Sequence, residues 1–263
     1  MTVILGGGGE AFPQLTITQS QTWVPELDGN VCIHVVGAGG GGTGYTTYPT
    51  YSGGAGAYGK IPTLAVTTSG SYTLVVGVGG IGGNNGNTGG GGGSSTIAGT
   101  GLTGTKTCGG GGGAYTSSGS GGSVSGSGES WAGFSGGAGS NDGGGAVGIY
   151  ATGQAGQPIP AMRGGMTDAQ SGGLAMSGFG IICGGSQPSL SQYLIASVFN
   201  YPIQGDDLCG GGTTIYSNNG GYVRCSDGGV GGGGGACRNV ASGAYAFGGA
   251  GGDGIILIQY LPW

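Results

Sequence analysis

Three tyrosines stand at every third position, Tyr45, Tyr48 and Tyr51, and an extended threefold segment would carry their rings along one edge. Rings so placed stack on sugar faces and anchor protein interfaces at low entropy cost. Other glycine-poor inserts supply further candidates for receptor contact: Trp131 and Phe134, Tyr193 and Tyr201, and Tyr216 and Tyr222. A second reading is that such rings cover the outside of a glycine body that has no side chains of its own. The sequence leaves both open for each ring.

Other reactive residue types lack the company that chemistry needs. The single histidine, His34, lies inside the apolar run Val31 to Val36, and the pair Asp206 and Asp207 has no partner base, so acid–base catalysis is not expected. Patterns of the GxGxxG type are abundant, but none is followed by the Lys-Ser/Thr and helix of a phosphate loop. The chain is therefore expected not to be an enzyme and to need no cofactor. Six cysteines, Cys32, Cys108, Cys183, Cys209, Cys225 and Cys237, show no close CxxC pair of a zinc site. They are expected to be reduced, small, buried residues, several at the edges of glycine blocks, with three disulfides in any of about 15 pairings as the alternative, and no metal is expected.

The elements that must position these residues are dominated by glycine, 77 of 263 residues. The glycines form blocks at Gly39 to Gly42, Gly89 to Gly93, Gly109 to Gly113, Gly143 to Gly145, Gly210 to Gly212 and Gly231 to Gly235. A glycine has no side chain to bury and loses the most backbone freedom on ordering, so such blocks are not ordinary core strands. Extended threefold helices have no internal hydrogen bonds, and their N–H and C=O groups point outward. Bare backbones could approach until these groups meet.

Two rival readings of the glycine content fail. The collagen triplet holds from Gly77 through Gly92, then breaks at Ser95, and no proline lies in that run. Disordered chains combine low hydrophobicity with high net charge, whereas here charged residues are 6% and mean hydropathy is +0.11.

Apolar strands frame the blocks. Leu15 to Thr18 alternates, Val31 to Val36 is a strong strand that runs into Gly37, and Ile255 to Tyr260 closes the chain after Gly254. Leu64 to Thr67 and Tyr72 to Val76 read as a hairpin across Thr68 to Ser71. A short helix is predicted after Ser189, carrying Leu190, Tyr193, Leu194 and Val198, stopped by Pro202. The expected fold is mostly β and irregular: a polyglycine II lattice layered as a sandwich, with a small sheet formed by N- and C-terminal strands.

The succession Trp23-Val24-Pro25, Val31 to Gly42, Leu64 to Gly79, Ser94-Ser95-Thr96, Cys108 to Gly113 and Gly251 to Ile258 resembles the glycine-rich domains of bacteriophage tail and tail-fibre proteins. The resemblance covers nearly the whole chain after about residue 21. It implies a virion protein, at a tail or fibre tip, whose loops at the distal end of a polyglycine sandwich bind a host cell-surface glycan or outer-membrane protein. A similar fold occurs in the ectodomain of some animal receptor kinases, so the resemblance bears on architecture more than on biology. The cysteines and the insert Ser186 to Leu208 depart from the usual phage pattern.

Residues 1–20 are expected to be an arm that docks through Val3, Ile4, Leu5 and Phe12 on another virion or tail protein, ahead of a glycine-rich domain over 21–263. A homotrimer, or a single cap on a trimeric fibre, would suit a fibre tip. The net charge of −5 and five scattered basic residues speak against nucleic acid. No apolar stretch approaches the length of a membrane helix, and no secretory signal is visible at Met1 to Gly6. Synthesis in a host cytoplasm followed by assembly into a virion is expected. A passive decoration protein and a polyglycine II ice-binding protein are the alternatives.

Overall fold

The computed structural model describes residues 2–4, 14–45, 50–140, 227–239 and 245–262, with the short stretches 144–145, 147–148, 152–153, 155–156, 175–176, 182–183, 215–217 and 222–225. Among the described residues there is no helix, and the fold is mostly β and irregular. The helix predicted after Ser189 and the insert Ser186 to Leu208 lie outside the described residues.

Alternating apolar runs build two antiparallel sheets. The first has six strands in the order β1 (Thr2–Ile4), β2 (Gln14–Ile17), β18 (Ile255–Tyr260), β4 (Gly29–Val36), β6 (Tyr58–Val66) and β11 (Ala132–Phe134). The second has five: β10 (Val124–Ser125), β9 (Lys106–Cys108), β8 (Ser95–Gly99), β7 (Tyr72–Val75) and β3 (Gln21–Trp23). Because side chains alternate along a strand, Val31, Ile33 and Val35 of β4 and Ile256 and Ile258 of β18 face one way. They share a core with Trp23, Tyr72, Leu74 and Ile97 of the second sheet. Trp23 and Tyr72 pack with ring centroids 5.0 Å apart.

The hairpin expected across Thr68 to Ser71 is a bridge between layers. β6 pairs with β4 and β11, whereas β7 pairs with β3 and β8. The turn, closed by Gly70 N donating to Thr67 O at 2.8 Å, carries the chain from one sheet to the other. Leu64 and Val66, then Tyr72 and Leu74, all point into the core between them. The single small sheet anticipated from the termini is thus a two-layer sandwich. The arm expected over residues 1–20 does not begin where the body ends, because β2 sits between β1 and β18 with Leu15 and Ile17 buried.

From this sandwich the glycine runs extend, and their hydrogen bonds repeat with period three. Gly37, Gly40 and Thr43 donate to Ala57, Gly54 and Tyr51; Ala38 and Gly41 donate to Gly93 and Gly90; Gly39 and Gly42 donate to Gly252 and Gly249. In return Gly80 and Gly83 donate to Gly39 and Gly42, Gly111 and Ala114 to Ala38 and Gly41, and Gly234 and Cys237 to Gly40 and Thr43. The run 37–43 therefore has six neighbouring runs, three that accept from it and three that donate to it. A Cβ at Gly40 would fall 2.1 Å from the carbonyl oxygen of Gly112, and one at Gly39 1.8 Å from that of Gly232.

Buried polar side chains finish the backbone pairing where runs meet strands. Ser95 Oγ accepts from Gly77 N at 3.0 Å, Ser52 Oγ from Ala236 N at 3.1 Å, and Thr43 Oγ1 from Tyr51 N at 2.9 Å. An unpaired buried N–H is costly, so these positions carry a hydroxyl.

Candidate functional site

Two regions hold the chemistry, one at each end of the glycine runs. The run 37–43 leaves β4 and enters β5 (Gly44–Tyr45), roughly 25 Å further on at about 3.1 Å per residue. At this far end β5 joins a three-stranded parallel sheet, in the order β14 (Ile215–Ser217), β16 (Cys237–Asn239), β5. Beside it β15 (Tyr222–Arg224) pairs in parallel with β17 (Tyr245–Phe247). A separate two-stranded pair joins β12 (Ala175–Met176) and β13 (Ile182–Cys183).

Register brings several of the nominated tyrosines to this end. Tyr216 stands opposite Arg238, which stands opposite Tyr45, and Tyr222 stands opposite Tyr245. Tyr51 begins the returning run 51–57 and is half-buried, as is Tyr45. Tyr115, at the end of the run that starts at Gly109, is 62% exposed, and Tyr245 is 43% exposed. These two were not among the sequence candidates, although each borders a glycine block. Asn85 and Gly86, both with positive φ, turn the chain here, donating to Ala246 O and Gly44 O. Tyr48, Tyr193 and Tyr201 lie outside the described residues, as do Leu5 and Phe12; Val3 and Ile4 are placed in β1 by their backbone.

Trp131 and Phe134 are not at this end. Trp131 packs against the main core, donates from Nε1 to Ser125 O at 3.1 Å, and lies over Gly59, where a Cβ would fall 2.2 Å from the ring. Its insert is drawn into the sandwich because β10 and β11 pair with β9 and β6. The loop is further held by Lys106, whose side chain is fully buried. Lys106 donates to the carbonyls of Thr103 and Ser127 and meets Glu129 Oε2 at 2.5 Å. Glu129 also accepts from Thr103 N and Oγ1, and the Lys106 hydrogen bond first, then Thr103, holds its carboxyl at about 2.

The second region is a cleft of about 480 Å³ on the face of the six-stranded sheet that points away from the core. Cross-strand register builds it in rows, since directly opposed residues share a face. Leu257, His34, Lys60 and Ala132 form one row, Ile255, Val36, Tyr58 and Phe134 the next, and Gln259 stands opposite Cys32. The ladder between β4 and β6 shifts between Val31 and Ile33, leaving the extra residue at Pro62 and Thr63. Proline has no N–H to place in a ladder, so a bulge suits it, and Pro62 becomes part of the cleft wall.

Inside the cleft the histidine is held neutral. His34 Nδ1 lies 2.7 Å from the Tyr58 hydroxyl and Nε2 lies 3.4 Å from Cys32 Sγ. Burial first, and the Lys60 cation second, push the imidazole down to about 4. Burial raises the Cys32 thiol above its ordinary value, against a smaller opposing effect of Lys60. Among the described lining residues, the side chain of Lys60 is thus the one that carries a charge at neutral pH. The sequence placed His34 in a strand but gave no sign that Tyr58 and Lys60 would lie opposite.

The cysteines at the block edges behave as small apolar residues. Cys32, Cys108, Cys225 and Cys237 are buried. Cys108 Sγ donates to Val35 O at 3.2 Å and Cys225 Sγ to Ala236 O at 2.8 Å. Desolvation raises the Cys108 thiol far above the ordinary range. Among the described residues no three His, Cys, Asp or Glu side chains are grouped to hold a metal ion.

Comparison with curated proteins finds no match. A model of the glycine-rich domain family matches residues 15–261, starting within β2 and ending just past β18. The five-stranded sheet, the six-stranded sheet apart from β1, the glycine runs and the far-end strands fall inside that span, and the chain belongs to the glycine-rich domain family.

Proposed function

We propose that this chain is a structural component of a bacteriophage tail or tail-fibre tip whose glycine body, read as a polyglycine II lattice, displays aromatic loops to a host receptor. The observation that carries the reading is the collection of tyrosine-bearing strands at the end of the runs remote from the sandwich. Two rings at this end, Tyr245 of β17 and Tyr115 just past the run that starts at Gly109, are open to solvent. The lattice reading is supported by the threefold repeat of hydrogen-bond partners along residues 37–43. A body cross-linked by main chain holds its end loops with little freedom, which lowers the ordering cost of binding.

In this reading the receptor is a cell-surface glycan or outer-membrane protein, and the segment ahead of β2 meets another virion protein. Binding of the purified chain to host cells tests it, with Tyr115→Ser and Tyr245→Ser combined. A folded double variant that binds at least tenfold less supports the display role. Unchanged binding would move the contact elsewhere. Passive decoration is favoured by the half-buried state of Tyr45 and Tyr51, and absence of any binding to host cells would select it. Thermal hysteresis in ice would select the ice-binding alternative.

A further inference from the structure

We propose that the cleft on the outer face of the six-stranded sheet binds an acidic sugar, with Lys60 as the counter-ion of its carboxylate. This site lies at the opposite end of the glycine runs from the tyrosine loops and does not depend on the virion reading.

Charge is the first ground. The chain has five basic residues and a net charge of −5, yet the described wall of its cleft contains a lysine and no carboxylate. Among the described residues Lys60 makes no ion pair, while Lys106 and Arg224 each have a carboxylate partner. The neighbouring imidazole and thiol cannot serve as its counter-ion, since both are neutral at pH 7. A cation at the mouth of a partly desolvated cleft selects an anion.

Shape and lining are the second ground. The volume of about 480 Å³ falls within the roughly 300–1,000 Å³ typical of small-molecule sites. An inorganic anion would use little of this space. The wall beside Lys60 is apolar, formed by half-buried Phe134 and by Pro62 at the bulge, with buried Tyr58 opposite Phe134 beneath them. An aromatic face such as that of Phe134 takes the C–H face of a pyranose. Gln259, exposed at the rim opposite Cys32, offers an amide to ring hydroxyls. His34 is a positioning residue, because its two nitrogens face Tyr58 and Cys32 and fix the tyrosine hydroxyl.

The chain's only histidine gives the test a direct readout, since its ring protons report on this cleft alone. The full chain is titrated with methyl β-D-glucuronide, with methyl β-D-glucoside and acetate in parallel, and the His34 resonances are followed by NMR. A saturable shift with the glucuronide is expected, with the glucoside and acetate each at least about tenfold weaker. Lys60→Gln weakens glucuronide binding about tenfold, and Lys60→Arg keeps it within a few-fold. Retained dispersion of the spectrum shows that each variant is folded. Equal binding of the glucoside, acetate binding as tight as the glucuronide, full affinity in Lys60→Gln, or no saturable shift with the glucuronide would each overturn the assignment.

Discussion

A methyl group added to Gly40 would collide with Gly112: its carbon would lie 2.1 Å from the Gly112 carbonyl oxygen and 2.4 Å from the carbonyl carbon. Neither partner is a flexible side chain, so relief requires whole runs to separate. Gly91 differs, since its nearest contact would be 3.9 Å away. Gly40→Ala is expected to destabilise by about 3 kcal/mol or more. Gly91→Ala is expected to be neutral or stabilising by about 0.4–1 kcal/mol. Denaturant melts of the two variants give the comparison, and equal losses would contradict close-packed runs.

His34 should make stability depend on pH. The unfolded imidazole takes a proton near 6.5, while the folded one resists until about 4. The stabilisation is therefore complete above about 6.5 and is lost progressively as pH falls through 4, by up to about 3 kcal/mol. His34→Gln should flatten the decline of the melting temperature between these values. A ring that titrates near its ordinary value by NMR would refute the placement.

Lys106 and Glu129 should respond unequally to replacement. Lys106→Met leaves the Glu129 carboxylate, which is 14% exposed, whereas Glu129→Gln leaves the fully buried Lys106 ammonium without a counter-charge and sets an amide donor against it. The second variant should melt several degrees lower than the first. Because the Glu129 carboxyl is depressed, its contribution is present above its ordinary value of 4.5 and is lost as pH falls through about 2. Thermal melts of both variants at pH 7 and pH 3 check the order.

Truncation should separate arm from body. Removing residues 1–13 leaves β2 intact and is expected to give a folded protein. Removing residues 1–20 deletes Leu15 and Ile17 from the core, at about 2–5 kcal/mol each, and should abolish cooperative unfolding. Calorimetry of both forms decides, and a folded 21–263 fragment would contradict the role of β2.

The elements with strong local signatures were readable from sequence. Val31 to Val36 runs apolar into glycine, Ile255 to Tyr260 runs apolar out of it, and both are central strands. Pairing was less readable. A short polar turn such as Thr68 to Ser71 suits either a hairpin or a crossing between layers, and what decides is whether β7 finds β6 or the β3 and β8 ladders. Trp131 looked like a displayed ring because its neighbours are polar; the bare surface of Gly59, distant in sequence, draws it inward. The cleft depended on Lys60, Tyr58 and Phe134 meeting His34 and Val36 across strands, and nothing local encodes that register.

The triplet rotation of partners along residues 37–43 governs how this molecule can change length. Adding or losing one residue within a run turns everything beyond it by a third of a revolution, so that each downstream donor faces the wrong companion. Three residues restore the phase and simply make the body longer. Growth of the core is thus quantised, while the segments joining one run to the next remain free to take any size.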